Sequence, residues 1–315
     1  MAVSAEARRA YLLLLVMPLF FSSNLVIARG MGDAVPPFTL ALLRWAVAAL
    51  ILLPFTGRSL INQAAAIAAS GWRILILGFL GMWICGAGVY WALSLTTATN
   101  ATLIYTTSPV LVLILEALVL GRTIPLTRLF GVVLAMAGVA VIVLRGDPGA
   151  LLALDLNLGD LGIAAAALAW AGYSLVLKNQ RLAAIPTLTL FAAIALAGVA
   201  TLVPFAVVEL ALIGGWPRTL SAWTGVLGLA LFSAVGAFSL YQYGVKVVGP
   251  AITSCFLYLL PVYGVGMAVL FLGEAFRAYH LAGMALVLIG LIAATAPPEI
   301  RDLARRRLRL PLRSG

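Results

Sequence analysis

Ten runs of about twenty mostly apolar residues, set apart by polar or Gly/Pro breaks, constrain this chain more than any other feature. They cover approximately 10–29, 36–55, 72–94, 98–120, 128–145, 159–179, 187–209, 221–245, 250–272 and 280–296. A helix of that length crosses the hydrocarbon layer of a bilayer. Backbone amides in lipid have no water to bond, and the runs lack the alternation of a transmembrane barrel. The expected fold is therefore an all-α polytopic membrane protein of ten transmembrane helices. Composition agrees: 64% of the 315 residues are hydrophobic and only 10% are charged, with a mean hydropathy of +1.14. A soluble domain carries about 25% charged residues, and no soluble core could hide this much apolar side chain. The net charge of +10 raises nucleic acid as a partner. Against that, six arginines fall between Arg301 and Arg313 and most others stand singly between apolar runs. No basic binding face results.

The basic residues set the direction of the spans. With the N-terminus in the cytoplasm, Arg8, Arg9, Arg58, Arg73, Arg122, Arg128, Lys178, Arg181, Lys246 and the six tail arginines, 15 in all, lie inside. Arg29, Arg145, Arg218 and Arg277, 4 in all, lie outside, and Arg44 falls within a span. Both termini are expected in the cytoplasm of a bacterial-type cell, with the chain in the inner membrane. Arg8 and Arg9 followed by an apolar run without a clear small-residue cleavage site read as a retained first helix, not a signal peptide. Cys85 and Cys255 lie in apolar segments and fit no metal spacing, so they read as small hydrophobes.

The two halves can be overlaid. At an offset of 150, Pro36 meets Pro186, Thr39 meets Thr189 and Pro54-Phe55 meets Pro204-Phe205. At 152, Pro109 meets Pro261, Gly121 meets Gly273, Gly131 meets Gly283 and Gly138 meets Gly290. The expected organisation is a first five-helix repeat over 1–146, an outer linker loop over 147–158, a second repeat over 159–296 and a basic cytoplasmic tail over 297–315. Five spans is an odd number, so the second copy must be inverted relative to the first. That arrangement is typical of alternating-access transporters.

The residues that carry a family resemblance are Phe21-Ser22-Ser23-Asn24-Leu25-Val26, Leu43-Arg44-Trp45, Ser108-Pro109 and the run from Gly131 to Gly138. The second half adds Leu168-Ala169-Trp170, Leu260-Pro261, Leu272-Gly273-Glu274 and Gly283 through Gly290. In order and spacing they resemble the drug/metabolite transporter superfamily, specifically its EamA-type members, over about nine-tenths of the chain. On general similarity the chain also resembles YddG-type amino-acid exporters. The family usually has Gly-Glu after both helix 4 and helix 9; here Glu274 keeps it, whereas the first copy reads Gly121-Arg122.

Within this frame the residues expected to meet substrate are Asn24, Arg44, Trp83, Tyr90, Tyr105, Trp170, Tyr173 and Tyr258. Arg44 lies about eight residues into helix 2, roughly 12 Å from its outer end. An arginine at that depth is costly unless it faces water or a partner. It either anchors an anionic group of the substrate or bonds neighbouring carbonyls; its repeat counterpart is Ile194. Ser22, Ser23 and Asn24 either line a wet cavity or bond across a helix interface. Pro109 and Pro261 free the carbonyls of Tyr105 and Leu257 and are read as matched kinks, serving as hinges or as packing features. Tyr90, Trp91, Tyr241 and Tyr243 also fit an interfacial belt, whereas Trp83, Tyr105, Trp170, Tyr173 and Tyr258 lie deeper and need polar partners. Glu116 reads as an acid within snorkelling reach of the cytoplasm and of Arg122, and His280 as a helix-end residue. Glycines at 131, 138, 283 and 290 predict close packing of helices 5 and 10.

The expected function is export of small amphipathic metabolites, amino acids including aromatic ones, by alternating access through a central cavity. No catalysis, metal or cofactor is expected. The bilayer is the medium, the substrate is the partner and no oligomer is required. The alternatives are a drug or nucleotide-sugar-like metabolite transporter of the same superfamily, or a membrane-embedded enzyme acting on lipid-linked substrates. The enzyme lacks clustered acids with a matching His: Asp147, Asp155 and Asp160 share one loop, where Asp is also ordinary capping.

Overall fold

The structure, a computed structural model, describes residues 4–31, 35–121, 123–152, 154–272 and 275–295, among which no strand occurs. Ten long helices follow in order: α1 (Ala5–Met31), α2 (Pro37–Asn62), α3 (Gly71–Leu93), α4 (Ala98–Leu120), α5 (Leu126–Val143), α6 (Leu158–Leu177), α7 (Thr187–Leu212), α8 (Leu220–Val247), α9 (Pro250–Leu270) and α10 (Ala278–Thr295). Among the described residues, α2 to α10 are long and apolar enough to cross a membrane. The 27 residues of α1 make a helix about 40 Å long around the first apolar run. The protein is an integral, all-helical membrane protein, as its apolar runs require. Helix α2 continues to Asn62 instead of ending near Phe55, because Pro54 is carried inside the helix and the polar turn beyond it stays helical. Sequence expectations on Arg122, Gly273, Glu274 and the tail arginines fall outside the described residues, as does the side chain of Arg29.

Corresponding helices of the two halves share their irregularities. Helix α3 widens to π-helical geometry over Phe79–Gly88, and α8 does the same over Leu229–Gly236. Helix α4 breaks after Tyr105 and resumes at Ser108-Pro109; α9 tightens to a 3-10 turn over Phe256–Leu259 just before Pro261. A proline lacks the amide that would bond back one turn, which favours a tightened or broken turn there. These irregularities stand at the two prolines where kinks were expected.

Packing follows the same exchange. Helix α1 lies against α8 and α9, and α6 against α3 and α4; α2 pairs with α7, and α5 with α10. Swapping the two halves turns each of these contacts into another of the set. The α5–α10 contact is the most intimate. A Cβ on Gly138 would lie 2.6 Å from the Gly283 carbonyl oxygen, and one on Gly131 2.6 Å from that of Gly290. Position 131 facing 290 while 138 faces 283 makes the two helices antiparallel.

Two buried carboxylates fasten one half to the other. Glu209 of α7 accepts the first amides of α2, from Phe38 and Thr39. Glu116 of α4 accepts the Ala251 amide in the first turn of α9 at 3.0 Å. Each satisfies donors that a helix start leaves unbonded, where negative charge is also favoured. Glu116 is 5% exposed, with its carboxylate on that helix start; the expected reach to Arg122 falls outside the described residues.

Candidate functional site

Arg44 stands seven residues after the first residue of α2, at the end of the bundle where α1 and α2 connect. It is 4% exposed, and its Nη1 donates to the Tyr90 hydroxyl at 2.8 Å. That hydroxyl donates in turn to Asn24 Oδ1 at 3.0 Å. One chain of hydrogen bonds thus ties α1, α2 and α3 through three of the residues expected to meet substrate. Tyr90 serves this network. Ser22 and Ser23, by contrast, bond the carbonyls of Leu260 and Phe20, so the polar triplet of α1 divides into one network member and two packing residues.

Arg44 keeps unused capacity. Its Nε has no hydrogen-bond partner, and no carboxylate pairs with it among the described residues. The guanidinium lies over the Trp45 ring at 4.8 Å and the Tyr90 ring at 5.5 Å, so aromatic faces supply part of its stabilisation. Trp45 leads into a continuous aromatic core: its ring lies 4.8 Å from Phe238, Phe238 lies 5.5 Å from Trp170, and Trp170 stacks on Tyr173 at 5.4 Å. The indole nitrogens of Trp45 and Trp170 are buried without partners. Gly86 lies beside this pair: a Cβ there would be in ordinary van der Waals contact, 3.4 Å from Trp45 Nε1 and 3.6 Å from Arg44 Nη2.

A second polar network occupies corresponding positions in the other repeat. Gln242, offset by 152 from Tyr90, donates to the Tyr173 hydroxyl at 3.0 Å. Ser174, offset by 150 from Asn24, shares a 2.6 Å hydrogen bond with the Tyr241 hydroxyl. Tyr241 is fully buried, which corrects its reading as a belt residue: the turn of α8 that carries it faces α6.

The remaining expected residues lie apart from this assembly. Trp83 packs in a separate aromatic group with Phe38, Phe79 and Phe205, at 5.5, 5.1 and 5.0 Å. Tyr105 stands at the break of α4 beside Cys85. Tyr258 sits in the 3-10 turn of α9, 1% exposed, its hydroxyl without a partner. Sequence reasoning took Trp45 only as part of the Leu43-Arg44-Trp45 motif and passed over Phe191 and Phe238, whose rings pack against it. Asp160 behaves as a cap. Asn157 and Asp160 form a reciprocal capping box at the start of α6, and Asp160 also receives Thr96 and Asn100. His280 accepts the Arg277 amide through Nδ1 at 3.1 Å, in the manner of a helix-end residue.

Buried cationic and indole donors beside stacked rings, in a bundle of paired repeats, suit solute recognition within the membrane. A family model of the EamA-like transporter family matches residues 8–144 and again 157–296. The chain belongs to the EamA-like transporter family. It is a membrane transporter, and the family match itself consists of two copies. Among its relatives is the uncharacterized transporter YetK of Bacillus subtilis (strain 168), 28% identical over 301 residues, covering 93% of this chain and 88% of the relative. The uncharacterized transporter YyaM of the same organism is 26% identical over 90% of this chain and 93% of its own. An uncharacterized transporter of Archaeoglobus fulgidus is 29% identical over 90% and 96%. A crystal structure with 23% identity superposes with a TM-score of 0.71, over 96% of this chain and 99% of the other. At that identity it shares the fold.

Proposed function

We propose that this transporter exports small amphipathic metabolites, foremost amino acids with aromatic side chains, across the bacterial inner membrane. The observation that carries the reading is Arg44: a buried guanidinium with an unpartnered Nε, held by Tyr90 and backed by an aromatic ladder. A guanidinium matches a carboxylate by paired hydrogen bonds. The adjoining rings suit an aromatic or apolar side chain. Asn24, Arg44, Tyr90, Trp170 and Tyr173 form the proposed site, with Trp45 and Phe238 added from the structure. Trp83, Tyr105 and Tyr258 are proposed to line the route.

The two repeats are proposed to be inverted, with helices 1–5 in residues 1–146 and helices 6–10 in 159–296. The antiparallel α5–α10 pairing and the exchange of contacts support this. Alternating access then exchanges the roles of the halves, with the α2–α3 end and both termini in the cytoplasm, as the basic residues favour.

Purified protein in proteoliposomes tests the reading through counterflow of labelled L-phenylalanine, L-leucine and L-glutamate. The expected result is saturable movement of phenylalanine and leucine, lowered at least about tenfold by Arg44→Ala without loss of monodisperse protein. Such a loss corresponds to about 1.4 kcal/mol of binding. If none of the three amino acids moves, the substrate class is wrong. If Arg44→Ala transports like the parent, Arg44 is structural.

A further inference from the structure

Two buried donors without a partner among the described residues belong to neighbours on α2, Arg44 Nε and the indole Nε1 of Trp45. Trp45 is fully buried, and the Arg44 guanidinium lies over its ring. Gly86 of α3 meets both side chains. The place where its Cβ would stand is 3.4 Å from Trp45 Nε1, 3.6 Å from Arg44 Nη2 and 3.9 Å from the Gly81 carbonyl oxygen. These are ordinary contact distances, so a methyl-sized niche lies open there. The Gly81 carbonyl is one π-helical turn back in the stretch Phe79–Gly88, a distortion of the kind that recurs at functional sites. An oxygen resting on the Gly86 Cα comes within hydrogen-bond reach of the indole and the guanidinium.

The repeat sets the same three positions apart. At the offsets of 150 and 152, Arg44, Trp45 and Gly86 correspond to Ile194, Ala195 and Phe238. The place that Gly86 leaves bare is thus filled in the second repeat by a ring, which itself packs 4.8 Å from Trp45. One of the two matched places has two donors and an open position; the other has neither. Packing alone gives no reason to bury an indole N–H and a guanidinium Nε unpaired. Each costs free energy that a ligand can return.

We infer that Trp45 and Gly86 complete, with Arg44, a seat that selects substrates by their carboxylate: the Trp45 indole donates to one carboxylate oxygen, Arg44 to the other, and the bare Gly86 makes the room. The inference rests on the proposed function and deepens it by naming the group that decides entry. The chemistry follows from the side chains. An indole N–H and a guanidinium donate and never accept, so the group between them must be acceptor-only. A carboxylate meets that demand with both oxygens. A carboxamide turns its own N–H groups towards one of the donors, and an amine brings donors alone.

The seven tryptophans supply the readout. Protein labelled with ¹⁵N at its indoles and held in nanodiscs gives one N–H signal per tryptophan, and Trp45→Phe identifies that of Trp45. Hydrogen bonding to an anion moves an indole N–H downfield. L-phenylalanine and phenylacetate should move the Trp45 signal in this way. L-phenylalaninamide and phenethylamine carry the same ring without the carboxylate and should leave it in place. Gly86→Ala should weaken both carboxylates at least about tenfold at an unchanged unfolding temperature, because its methyl fills the seat without crowding the protein. Gly88→Ala is the control: within 4 Å its Cβ would meet only the Trp83 carbonyl oxygen, at 3.5 Å, so affinity should stay within about twofold. A Trp45 signal that stays fixed with both carboxylates up to tens of millimolar overturns the seat. So does equal movement with the amide, or a Gly86→Ala protein that binds like the parent. If Gly86→Ala does not fold, the ligand series on the parent protein decides by itself. The readout does not need transport. A signal that moves with phenylacetate beside proteoliposomes that carry no amino acid would sink the exported class and keep the seat; phenylalanine transport with a fixed Trp45 signal would do the reverse.

Discussion

The Glu209 carboxylate on α7 accepts the Thr39 amide at 2.7 Å and the Thr39 hydroxyl at 2.8 Å, closing the start of α2 from the opposite repeat. Its other oxygen takes the Phe38 amide at 3.1 Å. The sequence prepares the fit. Pro36 and Pro37 have no amide to satisfy, and the Leu40 amide already bonds the Pro36 carbonyl, so one carboxylate meets the two donors left over. Glu209→Ala strands both amides in a buried place at about 1–3 kcal/mol each. The expected outcome is a loss of about 3 kcal/mol in denaturant or thermal unfolding, with Glu209→Gln losing roughly half as much. A Glu209→Ala protein as stable as the parent would show that water replaces the clasp.

The same position in the other repeat is weaker. At the offset of 150, Thr39 becomes Thr189 and Glu209 is the counterpart of Ser59; there Thr189 and Ser59 share a single 2.8 Å hydroxyl contact. A neutral hydrogen bond is worth about 1 kcal/mol, and one to a charged group about 1.5–3. The α1–α2 end of the α2–α7 pair is therefore held more firmly than the α2–α3 end. Ser59→Ala should change stability by less than about 1 kcal/mol. Glu209→Ala, but not Ser59→Ala, should raise the labelling rate of a cysteine placed at Val35, beside the loosened clasp. Equal labelling in both variants would mean that the two ends are held alike.

Tyr90 is the hinge of the Arg44 network, accepting from Arg44 and donating to Asn24. Tyr90→Phe removes both bonds and keeps the ring under the guanidinium. If the arginine binds substrate, half-saturation should rise about threefold to tenfold while the folded protein persists, since the guanidinium loses its aim and not its charge. Arg44→Lys should fail to restore binding, because a point charge lacks the planar pair of donors. Transport assayed over a range of phenylalanine concentrations reads both, and full activity of Arg44→Lys would reduce the requirement to charge alone.

The parts of this architecture visible in sequence are those set by solvent and by short-range chemistry. Lipid forces twenty-residue apolar runs, so the helices could be counted; Pro109, Pro261 and the four glycines mark local demands of the backbone. What could not be read depends on long-range pairing. Glu209 looked like the end of a span, and only the fold brings it to Thr39, 170 residues away in sequence. Tyr90 and Tyr241 sit where belt tyrosines sit, and the partners that set them apart lie on other helices. Trp83 and Trp170 are alike in depth and type, yet one packs with Phe79 and Phe205 and the other with Tyr173 and Tyr241. Helical spacing places a residue on a face; which neighbour that face meets is decided by the whole bundle.

The α5–α10 contact gives the most exacting test, because backbone closely approaches backbone there. A methyl on Gly138 would sit 2.6 Å from the Gly283 oxygen, and one on Gly283 2.7 Å from the Gly138 oxygen. Either substitution must drive the helices apart, and in lipid close packing is what joins them. Gly138→Ala should therefore destabilise the protein by about 1–3 kcal/mol, the usual range for overpacking, although alanine favours a helix over glycine by about 0.8–1 kcal/mol. Gly266 in α9 supplies the control: nothing lies within 4 Å of a Cβ there, so Gly266→Ala should show that helical gain instead of a loss. The double variant Gly138→Ala/Gly283→Ala should lose less than the sum of the two, since the first methyl already opens the gap the second needs. Thermal unfolding in a single detergent reads all four proteins. A silent Gly138→Ala, or strict additivity in the double variant, would mean that the two helices do not meet at these glycines.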